Sequence, residues 1–319
     1  MKRATLGCLL ALLGPEFARA QIKLPPTPVH EVTEEFFGTK VTDPYRRLEN
    51  TSDPEVVAWL KAQNAYTREV LSEIPGRAQL LHRINSLDNA GDVVSALQVW
   101  GGHYFYLKTE PGSDNRKLCV RDRVNAPERL LVDAEKLTTP DGKHFSIDYF
   151  QPSLDGKYVA YGLSPGGSED SVLHVLEAAT GRPLSDVIDC AQFGQPSWLE
   201  DGKSFFMART RAEFGTVKEP DGFKALYAMD AYQHVKPNAY PAVLLTAGVN
   251  DPRVAPWQAA EMTARLQAST TSGKPVLLRA DYDAGHGVGS TKSQRDSELA
   301  DELSFLFWQF GVSGFQPTK

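Results

Sequence analysis

Basic residues are in the minority in this chain. Its 34 Lys and Arg stand against 40 Asp and Glu, leaving a net charge of −6. With no basic block either, the balance argues against general nucleic-acid binding. Cysteine is scarce, at three residues, so no disulfide framework staples the fold. A Cys119–Cys190 bridge and two unpaired core cysteines both fit the count, and the missing framework favours the unpaired pair. Past residue 20 no apolar run reaches the ~18 residues that a membrane-spanning helix needs, so no membrane partner is expected. In Gly285-His-Gly-Val-Gly289 a phosphate loop fails, because Ser290 stands where a third glycine is required and no Walker lysine follows. Asp281, Asp283 and His286 crowd into one loop without a second His or Cys group, so no metal is assigned there and no cofactor is implied.

What is present reads as an exported globular chain. Hydrophobic residues make up 41% and charged residues 23% of 319 positions, enough for two or three folded domains. Lys2 and Arg3, the apolar stretch Ala4–Leu13 and Ala18-Arg19-Ala20 form a secretory signal with an A-x-A cleavage site. The expected location is therefore periplasmic or secreted. Residues 21–31 are proline-rich and extended. Asp53-Pro54 opens a helix with Val56, Trp59, Leu60, Tyr66, Val70 and Leu71 at helical spacing. Ile74-Pro75-Gly76 ends it, and a second helix follows over Arg77–Leu87.

From about residue 93 the texture changes to short apolar runs split by turns, beginning with Trp100-Gly-Gly-His-Tyr-Phe-Tyr106. Gln151-Pro-Ser153 with Asp155-Gly-Lys157 returns as Gln195-Pro-Ser197 with Asp201-Gly-Lys203. Asp-Gly between apolar runs predicts hairpins with type I′ turns. A hairpin repeat of about 40–50 residues predicts β-propeller blades. There is room for two to three of them, too few to close a ring. After Ala212 the pattern becomes strand–helix alternation: strand Tyr240–Thr246, helix Pro256–Ser269, strand Pro275–Ala280 and helix Ser293–Gly311, the last with an apolar face of Leu299, Leu303, Leu306, Phe307 and Phe310.

Two residues in this last part carry chemistry. Asp251, in Gly248-Val-Asn-Asp251-Pro-Arg253, and His286, in Asp281-Tyr-Asp-Ala-Gly-His286-Gly287, each follow a strand. In a parallel sheet both loops emerge at the C-terminal edge. There an aspartate can hold an imidazole's tautomer while the imidazole takes a proton from a serine, in the chain order Ser…Asp…His. The chain is read as lacking the nucleophile: no Gly-x-Ser-x-Gly elbow is assigned ahead of Asp251. Gly166-Gly-Ser-Glu-Asp170 lacks the second glycine and is taken as an exposed turn.

These residues carry a family resemblance. Glu213-Phe-Gly215, Tyr240-Pro-Ala-Val-Leu-Leu-Thr-Ala-Gly-Val-Asn-Asp-Pro-Arg-Val254, Gly273-Lys-Pro-Val-Leu-Leu-Arg279 and Asp281-Tyr-Asp-Ala-Gly-His-Gly287 resemble the end of the prolyl oligopeptidase catalytic domain. Residues 25–211 resemble that family's N-terminal part, through Asp43-Pro-Tyr-Arg46 with Leu48-Glu49 and through Ser164-Pro-Gly-Gly-Ser168-Glu-Asp170, although Arg47 replaces the usual Trp. The resemblance implies a seven-bladed propeller capping an α/β-hydrolase domain, and cleavage of short peptides after proline. It implies Asp251 as triad acid, His286 as triad base, and Arg253 as the arginine that binds the substrate backbone.

The fold expected is thus an incomplete β-propeller joined to the C-terminal part of an α/β-hydrolase domain. The divisions are a leader at 1–20, an N-terminal extended and helical segment at 21–92, a partial propeller at 93–211 and the hydrolase part at 212–319. Between Arg211 and Ala212 the chain passes from early propeller to late hydrolase text, which reads as an internal deletion that removes the serine elbow and oxyanion partners. Loss of a nucleophile alone costs about 10⁶-fold in a serine protease. Three functions follow: a serine peptidase by descent that is inactive as written, a non-enzymatic remnant that binds proline-containing peptides, or a chain completed by another that supplies the serine. No preference among oligomeric states follows.

Overall fold

A computed structural model describes residues 23–317, apart from Phe193, Gln195, Lys203, residues 207–215 and Val288. The leader, the Arg211–Ala212 junction and Glu213-Phe-Gly215 therefore lie outside the described residues. The first strands, β1 (Val32–Phe36) and β2 (Thr39–Asp43), form a hairpin that leads into a 3-10 turn at Arg46–Glu49. Helix α1 (Pro54–Ser72) starts where expected: the Asp53 carboxylate accepts the Glu55 N–H at 2.8 Å and Pro54 holds the first position. Such a cap contributes about 1 kcal/mol. Helix α2 (Arg77–Asp88) follows after the break at Pro75-Gly76.

Two four-stranded antiparallel sheets come next. The first runs β3 (Val93–Trp100), β4 (His103–Thr109), β5 (Lys117–Arg121), β6 (Arg129–Asp133). The second runs β7 (Phe145–Pro152), β8 (Tyr158–Pro165), β9 (Val172–Glu177), β10 (Pro183–Ile188). Each is a meander with neighbours adjacent in sequence. Phe105, Leu118 and Val120 of the first pack against Ile147, Phe150 and Val159 of the second in one core. A further hairpin, β11 (Ser197–Trp198) and β12 (Phe205–Phe206), begins a third unit, with Trp198 packed on Ala160, Leu173 and Val175 of the second sheet. Stacked four-stranded meanders are the units of a propeller. Among the described strands no sheet closes on itself.

The Gln-Pro-Ser repeat marks equivalent hairpins, but their turns are not type I′. At Asp155-Gly156 and Asp201-Gly202 only the glycines have positive φ, +71° and +62°. Gly156 N–H donates to Ser153 O and Gly202 N–H to Leu199 O, closing longer loops that need one left-handed residue each. Two-residue loops with both φ positive occur instead at Phe37-Gly38 and Gly101-Gly102.

The hydrolase part contains α3 (Pro220–Met229), β13 (Val243–Gly248), α4 (Pro256–Ser269), β14 (Val276–Asp281) and α5 (Lys292–Gln309). β13 and β14 pair in parallel, Val243 opposite Val276 through Gly248 opposite Asp281. Helix α1 folds onto them. Its Thr67 hydroxyl accepts the Leu278 N–H and its Asn64 carbonyl accepts the Ala280 N–H, both at 3.1 Å, so side chains rather than a strand satisfy the outer edge of β14. Arg279, 1% exposed, bonds Asp301 of α5 at 2.9 Å, and Asp301 also accepts from Arg68 of α1 and Arg77 of α2. The N-terminal segment and the hydrolase part therefore share one core, with Trp59 and Leu60 beside Ala260, Ala264 and Leu278.

Two expectations are corrected here. Helix α5 buries Asp296, Ala300, Asp301, Ser304 and Phe305, while Leu299 and Leu306 are 43% exposed and Phe310 is 77% exposed. The buried arginine network claims the polar side of the helix, so Leu299, Leu306 and Phe310 of the apolar stripe are left outward while Leu303 and Phe307 are half-buried, Phe307 against Phe315. Both cysteines are unpaired, but only Cys119 lies in the core; Cys190 is exposed.

Candidate active site

Asp251 lies three residues beyond β13 and His286 five beyond β14, both at the C-terminal edge of the parallel pair. The two loops are stitched together: Val249 N–H donates to Asp281 O at 2.8 Å and Asn250 N–H to Ala284 O at 3.0 Å. This brings His286 Nδ1 to 2.8 Å from Asp251 Oδ2. The other carboxylate oxygen, Oδ1, accepts the backbone N–H groups of Arg253 (2.8 Å) and Val254 (2.9 Å). The Asp251 side chain is 9% exposed and that of His286 is 40% exposed.

The electrostatics suit an orienting acid. Burial works to raise the Asp251 carboxyl, but the Val254 N–H, the His286 imidazole and the Arg253 N–H outweigh it and hold the carboxyl below its ordinary value. Asp251 is then an anion at neutral pH, and the proton of the hydrogen bond sits on His286 Nδ1. That leaves Nε2 as the basic nitrogen, with no hydrogen bond to a described residue. A cleft of about 300 Å³ opens beside it, lined by Thr246, Gly248, Asp251, His286, Gly287 and Ser290.

The serine reading needs one correction. Gly162-Leu-Ser164-Pro-Gly166 is a literal Gly-x-Ser-x-Gly. It forms no elbow, because Ser164 lies within β8, is fully buried, and is followed by a turn rather than a helix. An elbow must present its hydroxyl at a strand-to-helix turn, so Ser164 is no nucleophile. The neighbouring turn is not exposed either. Gly166, Gly167 and Glu169 are buried against the two site loops. Asn250 Nδ2 donates to Gly166 O and to Tyr282 O, each at 3.0 Å. A Cβ on Gly285 would meet Gly167 O at 1.8 Å. The glycine before His286 therefore serves a backbone crossing as much as clearance for the imidazole.

Arg253 does not point free into the cleft. Its Nε and Nη2 reach Glu169 Oε2 at 2.9 and 2.5 Å, and the Glu169 side chain is 2% exposed. Nothing in the spacing signals Glu169 or Asn250 as parts of this site, since both act across a junction between elements more than 80 residues apart. A positive φ of 54° at Glu169 is likewise invisible in the sequence.

Two family models match the chain. The prolyl oligopeptidase N-terminal β-propeller domain matches residues 25–222, and the prolyl oligopeptidase family matches residues 188–313. The prolyl endopeptidase of Elizabethkingia meningoseptica is 26% identical over 196 residues, 61% of this chain and 27% of its own length. An uncharacterized peptidase of Sinorhizobium fredii is 30% identical over 192 residues, 59% of this chain and 26% of its own. A solved prolyl endopeptidase structure, from a study of inter-domain dynamics in catalysis and specificity, superposes with a TM-score of 0.53 at 34% identity, covering 58% of this chain and 27% of that one. The chain thus spans about a quarter of the length of the curated relatives it matches.

Proposed function

Because the chain belongs to the prolyl oligopeptidase family, we infer that it carries the acid and base of a serine peptidase that acts on proline-containing peptides, without the nucleophile to use them. The observation that carries this reading is the 2.8 Å contact between His286 Nδ1 and Asp251 Oδ2, with the Asp251 carboxylate anchored by two backbone N–H groups. In a complete site, Nε2 of His286 takes the proton of a serine hydroxyl as that oxygen attacks the scissile carbonyl. The protonated imidazole then returns it to the leaving amine, and the ionised Asp251 stabilises the imidazolium. Here no serine stands ready for that step: the one serine in elbow text is buried in β8, and no described serine hydroxyl, Ser290 of the cleft included, is hydrogen-bonded to His286. An internal deletion at Arg211–Ala212 accounts for this, and the leader at residues 1–20 fits an exported protein.

Hydrolysis of a blocked Gly-Pro amide tests the reading. Wild type and His286→Ala should give the same background rate. A wild-type rate thousands of times that of His286→Ala would mean that a serine is in reach after all. The alternative, a binder of proline-containing peptides, has less support. The arginine that the resemblance assigns to the substrate backbone is bonded to Glu169.

A further inference from the structure

Three carboxylates converge where β2, the 3-10 turn and helix α4 meet. Asp43 ends β2, Glu49 ends the 3-10 turn and Glu261 lies on α4, and one oxygen of each falls within 4.8 Å of the others. Asp43 is served: Tyr45 N–H and Tyr232 O–H donate to Oδ1 at 2.8 and 2.6 Å, and Arg46 Nε reaches Oδ2 at 3.2 Å. Glu49 shares Arg46 at 3.1 Å. Glu261 is not served. It is 5% exposed, and its Oε1 is sealed from solvent with no hydrogen-bond partner.

Charge counting makes the gap plain. Asp43, Glu49, Glu261 and Asp230 bring four negative charges to this region, and Arg46 and Arg265 bring two positive ones. A buried carboxylate without a partner is costly. Something must neutralise Glu261, either a proton or a cation.

We propose that Asp43, Glu49 and Glu261 form a binding site for a hard divalent cation of calcium size, which ties the N-terminal segment to helix α4. The ligand set is all oxygen, which suits calcium or magnesium and not zinc. Oxygens that all lie within 4.8 Å of one another can surround one ion with ~2.4 Å bonds, the calcium distance, whereas magnesium demands ~2.0–2.1 Å bonds in a strict octahedron, which carboxylates on three separate elements meet less readily. Glu49 is on the exposed side, so water can complete the shell and the ion can enter.

The test is calcium titration into the metal-stripped full-length chain at about pH 8.5, read by calorimetry and by the thermal midpoint. One calcium per chain should bind with a Kd of about 10⁻³ M or tighter, as in rigid extracellular sites, magnesium should bind at least tenfold more weakly, and the midpoint should rise. Glu261→Gln, which removes a buried charge and should still fold, is expected to lose at least tenfold in affinity, and Glu49→Gln to lose affinity with the fold unchanged. No binding and no shift at about pH 8.5, or an affinity unchanged in Glu261→Gln, overturns the proposal and leaves the proton as the neutralising charge.

Discussion

Arg253 and Glu169 meet across the junction of the second four-stranded sheet and the hydrolase loops, the guanidinium closing on a single carboxylate oxygen at 2.5 and 2.9 Å. The two partners are unequally sheltered, with side-chain exposures of 40% and 2%. Arg253→Ala should strand a buried carboxylate and cost about 3 kcal/mol. Glu169→Ala leaves an arginine that water can reach, and should cost about 1 kcal/mol. Urea unfolding of the two variants checks the asymmetry; equal costs would mean that burial does not govern this pair.

Gly285 and Gly167 cross so closely that a methyl group has no room. Gly285→Ala places a Cβ 1.8 Å from Gly167 O, so one backbone must move. The expected cost is about 3 kcal/mol or more. The His286 Nδ1 proton resonance should broaden or shift as the loop leaves Asp251. A variant of wild-type stability with that resonance unchanged would contradict the crossing.

Glu261 should give stability a pH dependence opposite to that of most carboxylates. Its carboxyl is raised to about 8 in the fold, against about 4.3 in an unfolded chain. Between those values the folded state binds the extra proton, so stability falls as pH rises from about 4.5 to about 8 and is flat above. With divalent ions removed, the loss should be on the order of a few kcal/mol, and Glu261→Gln should abolish the slope. A slope that persists in Glu261→Gln would assign the effect to other groups.

The outward apolar residues of α5 should matter little for folding. Leu306→Gln, at a 43% exposed position, should change stability by no more than about 0.5 kcal/mol, as urea unfolding would show. A loss of several kcal/mol would show that Leu306 is packed.

The elements of this fold were legible where local chemistry decides them. Asp53-Pro54 capped α1, Pro75-Gly76 parted the two helices, and the repeat around Gln151 and Gln195 marked hairpins of successive sheets. Asp251 and His286 were legible because strand ends at one edge of a parallel pair converge. What stayed hidden was decided by distant partners. The buried face of α5 follows from Arg279 and Asp301, not from its own periodicity. The Ser164 text matches an elbow, yet its place inside β8 rules out the role. Glu169 holds Arg253 through a contact 84 positions away, and Asp43, Glu49 and Glu261 share no motif.

Labelling of the full chain with a fluorophosphonate, quantified by intact-mass spectrometry, tests the central claim most directly. A serine poised beside His286 reacts and adds one phosphonyl group. An acid–base pair without a nucleophile adds none. The expected result is an unmodified mass for both wild type and His286→Ala. Stoichiometric labelling of a serine in the wild type, lost in His286→Ala, would contradict the account and show that the chain carries a working triad.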